Sequence, residues 1–255
     1  MHRRILHIDV NNAFLSWTAI YMLKNGAQID IRTIPSIIGG DESKRSGIVL
    51  AKSPIAKKFG IVTGEPIYFA KKKCNNLKIY KGDFATYKYY SKLFYNILIQ
   101  YSDKVERFSI DECFVDMTNS LKDRDIVDIA YEIKYRIYKE LGFTVNVGVS
   151  SNKLLAKMAS DFEKPNKVHT LFVNEIESKM WPLNVADLFG IGKKTIPKLL
   201  KMNIKTIGDL AQTDQSYLIK KFGKFGNMIW EHANGIDNSP VEENNQPPKS
   251  VGNQQ

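Results

Sequence analysis

Phe108-Ser109-Ile110-Asp111-Glu112-Cys113-Phe114-Val115-Asp116-Met117 is the stretch on which the reading of the fold rests. Its apolar runs 108–110 and 113–116 read as two strands meeting at a tight turn, with Asp111-Glu112 at the apex. Strands gain no stability from carboxylates at their ends, because clustered like charges repel and raise one another's pKa. A second placement of this kind stands at the start of the chain, where the buried-strand run Ile5-Leu6-His7-Ile8 ends at Asp9. A divalent cation removes the penalty: hard Mg²⁺ takes oxygen ligands and is held by one or two carboxylates plus substrate phosphates. Two such ions, about 3.5–4 Å apart, clamp the attacking and leaving oxygens of an in-line phosphoryl displacement. A sheet that sets the first strand beside 108–116 would let Asp9 and Asp111 bridge the ions while Glu112 completes the site. The same spacing also suits a solvated turn at 111–112 and Asp9 as a helix N-cap.

Working outward, residues 13–24 carry apolar side chains at near-helical spacing and stop at Asn25-Gly26. Strands are expected at 34–38 and 48–51, on either side of the polar loop GGDESKRSG, and a short helix at 56–59 closed by Gly60. Helices are expected at 87–100, 124–141 and 152–160, with a strand at 145–149 between the last two. With the insertion set aside, that order suits an antiparallel sheet with helices on one face, an α+β arrangement of ferredoxin-like type. Past Lys164-Pro165-Asn166 the chain turns to short helices around Gly190-Ile191-Gly192, and the end, VEENNQPPKSVGNQQ, reads as an exposed linker. There are no internal repeats.

At 255 residues the chain is at the size where one core gives way to two or three subdomains. With 43% apolar and 25% charged residues it can bury real cores, which excludes wholesale disorder. No apolar run approaches the ~18 residues of a membrane span, and the start, broken by Asp9, Asn11 and Asn12, does not read as a secretory leader. Two cysteines, Cys74 and Cys113, make neither a disulfide framework nor a metal cluster, so a reduced, cytoplasmic chain is expected. The net charge of +10 is uneven: residues 41–105 hold 13 Lys+Arg against 5 Asp+Glu, and 166–235 hold 10 against 6. Such blocks suit a polyanion partner, since each Lys or Arg laid on a phosphate releases counterions, and they equally suit a solvated lysine-rich surface.

Four segments in one order and spacing, HIDVNNAF, SIDECFVDMT, GVSSNKLLAKMASDFEKPN and LFGIGKKTIPKLL, resemble the Y-family (DinB/UmuC-type, translesion) DNA polymerases over about residues 4–252. The resemblance implies a ferredoxin-like palm (1–12 and 79–165), inserted fingers (13–78), a small helical thumb (166–235) and a linker (236–255). It implies a template-directed, low-fidelity polymerase that adds dNTPs to a primer 3′-OH with two Mg²⁺, Mn²⁺ being a possible substitute. Its partners would be primer–template DNA, dNTP and a sliding clamp or other replication protein, with the chain a monomer that touches no membrane. Asp9 and Asp111 would bridge the metals, Glu112 would hold the one nearer the primer end, and the Val10 carbonyl would be a further ligand. Phe14 falls at the steric gate, where a ring packed in place of a 2′-OH rejects ribonucleotides by clash. Lys164 matches the lysine that reaches the triphosphate. The segment 188–200 resembles a helix-hairpin-helix, in which Gly190 and Gly192 let the backbone approach a phosphate while Lys193 and Lys194 add charge.

This chain departs from the family pattern in the fingers, where Ser53-Pro54-Ile55-Ala56-Lys57-Lys58-Phe59-Gly60 replaces the usual Ser-Tyr-Glu-Ala-Arg segment. Ser53 and Lys57 are the nucleotide-binding candidates left there, Lys57 offering a point charge where the family has a planar fork. Gly39-Gly40-Asp41-Glu42 spells the start of a diguanylate cyclase signature, but a second acidic strand end upstream is lacking and it reads as a decoy. Family members continue past the Pro-Pro-Lys-Ser-Val-Gly segment into a DNA-gripping little finger, so a core without that domain is expected, with weak DNA binding. The alternative is a catalytically idle DNA-binding fragment that acts through the thumb and a protein partner.

Overall fold

Each residue of Ile5–Val10 is buried, as is each of Val145–Ser150, so these two strands lie inside the molecule and not at a solvated edge. The computed structural model describes residues 3–40, 47–121 and 123–242; Asp41 and Glu42 of the GGDE signature and linker residues 243–255 lie outside them. Along the chain run β1 (Ile5–Val10), α1 (Ala13–Lys24), β2 (Ser36–Gly39), β3 (Val49–Lys52), α2 (Pro54–Lys58), α3 (Ile67–Lys73), β4 (Lys78–Lys81) and α4 (Phe84–Leu98). There follow β5 (Val105–Arg107), β6 (Glu112–Asp116), α5 (Ile126–Leu141), β7 (Val145–Ser150), α6 (Lys153–Asp161) and β8 (Val168–Thr170). The last described helices are α7 (Ile196–Lys201), α8 (Ile207–Gln212), α9 (Gln215–Phe222) and α10 (Lys224–Ala233).

The chain divides into two compact units. One comprises Met1–Asp9, Leu98–Lys134 and Asn146–Gln255, the other Val10–Ile97 and Tyr135–Val145. The first unit is built on a five-stranded sheet of order β5-β6-β1-β7-β8. In it β6 pairs antiparallel with both β1 and β5, while β8 runs parallel to β7. Leu154, Leu155 and Met158 of α6 close a core with Leu199, Ile207, Leu210, Leu218 and Ile229 of the four terminal helices. The second unit holds a three-stranded sheet of order β3-β2-β4, with β4 parallel to β2. Its apolar centre is Ile37, Val49, Ala56, Ile61, Ile67 and Ala70.

Several expectations are corrected here. The strand before the acidic pair is Val105–Arg107, not 108–110: Phe108 and Ser109 turn their N–H groups onto the Glu112 carbonyl (3.0 and 3.2 Å) and close a loop. Glu112 is therefore the first residue of β6, and only Asp111 belongs to the turn. The sheets are not wholly antiparallel, because β4 and β8, both unforeseen, add in parallel. Both are short, with half-exposed or exposed side chains, so their hydrophobic pattern is faint. Helix α3 was also unforeseen, since it buries only Ile67 and Ala70. Both cysteines are buried free thiols. Among the described residues no helix is long and apolar enough to cross a membrane.

Candidate active site

Antiparallel register sets Asp9 of β1 opposite Glu112 of β6. The pairing follows from the pattern that buries Ile5, Leu6 and Ile8 on one strand and Cys113, Phe114 and Val115 on the other. Helix α6 delivers the countercharges. It lies so close to β7 that a Cβ on Gly148 would sit 1.8 Å from the Ala156 carbonyl oxygen, an approach only glycine permits. Asn152 caps its start by accepting from the Leu155 N–H at 2.8 Å. Past its end, buried Asn146 donates to the carbonyls of Ser160 (3.0 Å) and Glu163 (2.6 Å), fixing the segment that carries Lys164.

Two lysines reach the strand pair from this helix and its exit. Lys164 Nζ donates to Asp9 Oδ2 at 2.6 Å and also pairs with Asp161 at 2.8 Å. Lys157 Nζ, nearly buried, donates to Glu112 Oε2 at 3.1 Å. The two carboxylates titrate in opposite directions. Burial pushes Asp9 up to about 6; Lys164 opposes this, while the charges of Glu112 and Asp111 add to it. Burial pushes Glu112 up too, but its polar neighbours outweigh that and hold it down at about 2.

His7 and Lys157 are the neighbours in question, and geometry favours Lys157 as the one that matters. The Ser160 hydroxyl donates to the Lys157 carbonyl at 2.8 Å, so it must accept from His7 Nδ1–H, also at 2.8 Å. Burial keeps His7 below its usual pKa, so the neutral ring leaves Nε2 bare. That atom stands 3.7 Å from Glu112 Oε2 without a hydrogen bond, too far for one to form. His7 and Lys157 both lie within the quoted segments, but no local pattern singles either of them out. Lys157 sits at helical spacing among apolar residues, and its partner is 45 positions away.

Among the described residues no three His, Cys, Asp or Glu side chains converge closely enough to cage an ion by themselves. Each carboxylate has a donor of its own: Asp9 turns to Lys164, Glu112 to Lys157, and Asp111 accepts from its own loop's Ser109 hydroxyl at 2.7 Å. Each negative charge thus takes the nearest donor. The residues nonetheless fit a hard divalent cation in the form Mg²⁺ prefers, one or two carboxylates completed by substrate oxygens. The donors are all oxygen, two of them are register partners, and Asp9 is held in a state that a dication would relieve.

The other candidates of this first unit lie around Gly190, whose φ of +97° makes the turn between the short 3₁₀ segment at 185–187 and α7. Gly192 has open space beside its Cα, and Lys193 and Lys194 are exposed. In the second unit, Val10 ends β1 and Phe14 lies half-buried in the first turn of α1. The Phe14 ring stacks on buried Tyr87 at 4.6 Å and 25°. Ser53 needs correcting. It is fully buried, donates to the Ile34 carbonyl (2.7 Å) and accepts from the N–H groups of Ser36 and Ala56, so it caps α2 and has no hydroxyl proton left for a ligand. Lys57 is exposed on α2, and its charge lowers the pKa of Lys52, after the larger effect of burial. Lys52, missed in the sequence, joins it in one basic patch.

The impB/mucB/samB family model matches residues 8–161, and a DNA polymerase-iota thumb-domain model matches residues 186–237. The chain belongs to the impB/mucB/samB family. This is the UmuC/DinB-type, Y-family group that its motifs resemble. The chain is 53% identical over 254 residues to a DNA polymerase IV of Clostridium acetobutylicum, a match covering 100% of this chain and 64% of that protein. It is 42% identical over 256 residues to a DNA polymerase IV of Acetivibrio thermocellus, covering 99% and 63%. It thus spans a little under two thirds of the length of these relatives. Among solved structures it is similar to the DinB protein from Sulfolobus solfataricus, with TM-score 0.82 and 26% identity, covering 94% of this chain and 69% of the other.

Proposed function

We propose that this impB/mucB/samB family member is the catalytic core of a template-directed DNA polymerase of the translesion kind. The observation that carries the reading is the cross-strand pair Asp9–Glu112, with Asp111 beside it and Lys164 on Asp9. The palm would be residues 1–12 and 79–165, the fingers 13–78, the thumb 166–235 and a linker 236–255. Two Mg²⁺ ions, or Mn²⁺ in their place, would be held by Asp9, Asp111, Glu112 and the Val10 carbonyl, and would supply charge neutralisation at the reacting phosphate.

The remaining chemistry belongs to the chain's own groups. Lys164 would leave Asp9 for the triphosphate, and Lys57 with Lys52 would offer nucleotide-binding charge on their own unit. Lys157 keeps Glu112 ionised throughout. Phe14, stacked on Tyr87, would exclude a 2′-OH by clash. Gly190 and Gly192 let the thumb backbone near the duplex phosphates, and Lys193 and Lys194 pair with them. The primer 3′-oxygen bonds to the α-phosphorus, its proton passing to solvent, and pyrophosphate leaves with the electrons of the broken P–O bond. A short fingers segment leaves little surface to inspect the new base pair, which favours low fidelity and damaged templates. The chain would work as a monomer in the cytoplasm, recruited by a sliding clamp or other replication protein.

Primer extension tests this. Wild type should extend a primer with Mg²⁺, and Asp111→Ala should lower kcat/KM by at least about 10³. No extension by wild type would favour an idle DNA-binding fragment. Phe14→Ala should raise the ribonucleotide-to-deoxyribonucleotide ratio roughly tenfold, equivalent to about 1.4 kcal/mol of lost discrimination. An unchanged ratio would remove the gate from Phe14.

A further inference from the structure

Helix α3, Ile67-Tyr68-Phe69-Ala70-Lys71-Lys72-Lys73, has no part in the site above. Ile67 and Ala70 pin it to the core of its unit, and that turns two adjacent aromatic residues outward: Tyr68 is 63% exposed and Phe69 52%. Their rings lie 5.5 Å apart at 66°, so they stand as two differently inclined faces. Lys72 Nζ sits 4.4 Å from the centre of the Tyr68 ring. Between Glu42 and Asp83 the only acidic residue is Glu65, and Lys73 already holds it at 2.6 Å while donating to the Gly60 carbonyl. The face therefore joins exposed rings to positive charge, with no acid on the helix.

We propose that this face of α3 binds single-stranded nucleic acid, with bases stacking on Tyr68 and Phe69 and phosphate paired with Lys72. Every base offers a π-face, so ring stacking beside a cationic track suits an unpaired strand of any sequence. A paired duplex hides its base faces and gains only the lysines. The charge selects a polyanion over an apolar protein partner, which would gain nothing from Lys72 beside the rings.

The test is fluorescence anisotropy of the full chain with labelled dT16 and with a blunt 16-base-pair duplex, without metal or nucleotide. Tyr68→Ala/Phe69→Ala should weaken dT16 binding about tenfold and leave the duplex unchanged. Tyr68→Leu/Phe69→Leu, which keeps apolar bulk but removes the rings, should do the same. Lys72→Ala should reduce the slope of log affinity against log salt by about 0.7. Unchanged dT16 binding in the ring variants, full retention by the leucine pair, or equal losses on dT16 and duplex would each overturn the proposal. Primer extension by wild type separates the two readings. Extension with unaltered dT16 binding discards the platform alone, and ring-dependent dT16 binding without extension discards the polymerase alone.

Discussion

Asp9 and Glu112 face each other across β1 and β6, each with a lysine on it, yet one carboxyl is pushed up to about 6 and the other held down at about 2. Burial acts on both. What separates them is the company each keeps: the charges of Glu112 and Asp111 add to the burial of Asp9, and the two lysines are committed differently. Lys164 is half exposed and divides its charge between Asp9 and Asp161, whereas Lys157 is nearly buried against Glu112 and lies over the rings of Phe108 and Phe189, 5.4 Å from each centre. A shared, solvated countercharge cannot cancel the cost of burying a carboxylate; a dedicated, dehydrated one can. The pair is thus divided into an arm that can be released and an arm that is fixed.

Lys157→Met gives the largest expected effect on this contrast. It keeps the stem's packing but strands the Glu112 charge, and should cost about 2–4 kcal/mol at pH 7 in denaturant unfolding. The sign with pH follows from a depressed carboxyl. The stability it contributes is complete above its unfolded pKa and is lost as pH falls towards about 2, so the deficit of the variant should shrink in acid. A deficit independent of pH would mean that Lys157 serves packing alone.

Asp9→Asn should act in the opposite direction. A carboxyl whose folded pKa is raised from 3.8 to about 6 makes the native state lose stability as pH rises through that window. The amide removes that loss, so in the presence of chelator the variant should be more stable than wild type by about 2–3 kcal/mol at pH 8. The gain should fade near pH 4. A destabilised variant at pH 8 would mean that the bond to Lys164 outweighs burial.

Lys164→Met should change stability least, by no more than about 1 kcal/mol, because the ammonium is solvated and shared. Thermal unfolding of the two lysine variants side by side tests the contrast directly. Equal losses would erase the distinction between a releasable arm and a fixed one.

Much of this site is legible in the one-dimensional pattern. The apolar run 5–8 ending at Asp9 and the acidic pair before 113–116 announce strand ends, because a strand's alternation and its interruption are local. The exact turn was less legible: Phe108 and Ile110 are apolar enough to read as strand, but the N–H groups of Phe108 and Ser109 are spent on closing the loop onto Glu112. Ser53 misleads for a related reason. A serine before a basic helix suits a ligand contact and an N-cap equally, and only its burial decides for the cap. The edge strands β4 and β8 escape notice because they bury too little to show a period.

Sequence alone determined which residues can carry the charge and that Asp9 and the acidic pair stand near strand ends, since those follow from side-chain chemistry and spacings of a few residues. Tertiary structure decided which carboxylate meets which lysine. Lys157 lies 45 positions from Glu112, Lys164 lies 155 from Asp9, and His7 meets Ser160 across 153. Contacts at such separations are set by the approach of α6 to β7 at Gly148 and by the β1–β6 register. The resulting burial turns two chemically similar acids into one that resists ionising and one that keeps its charge.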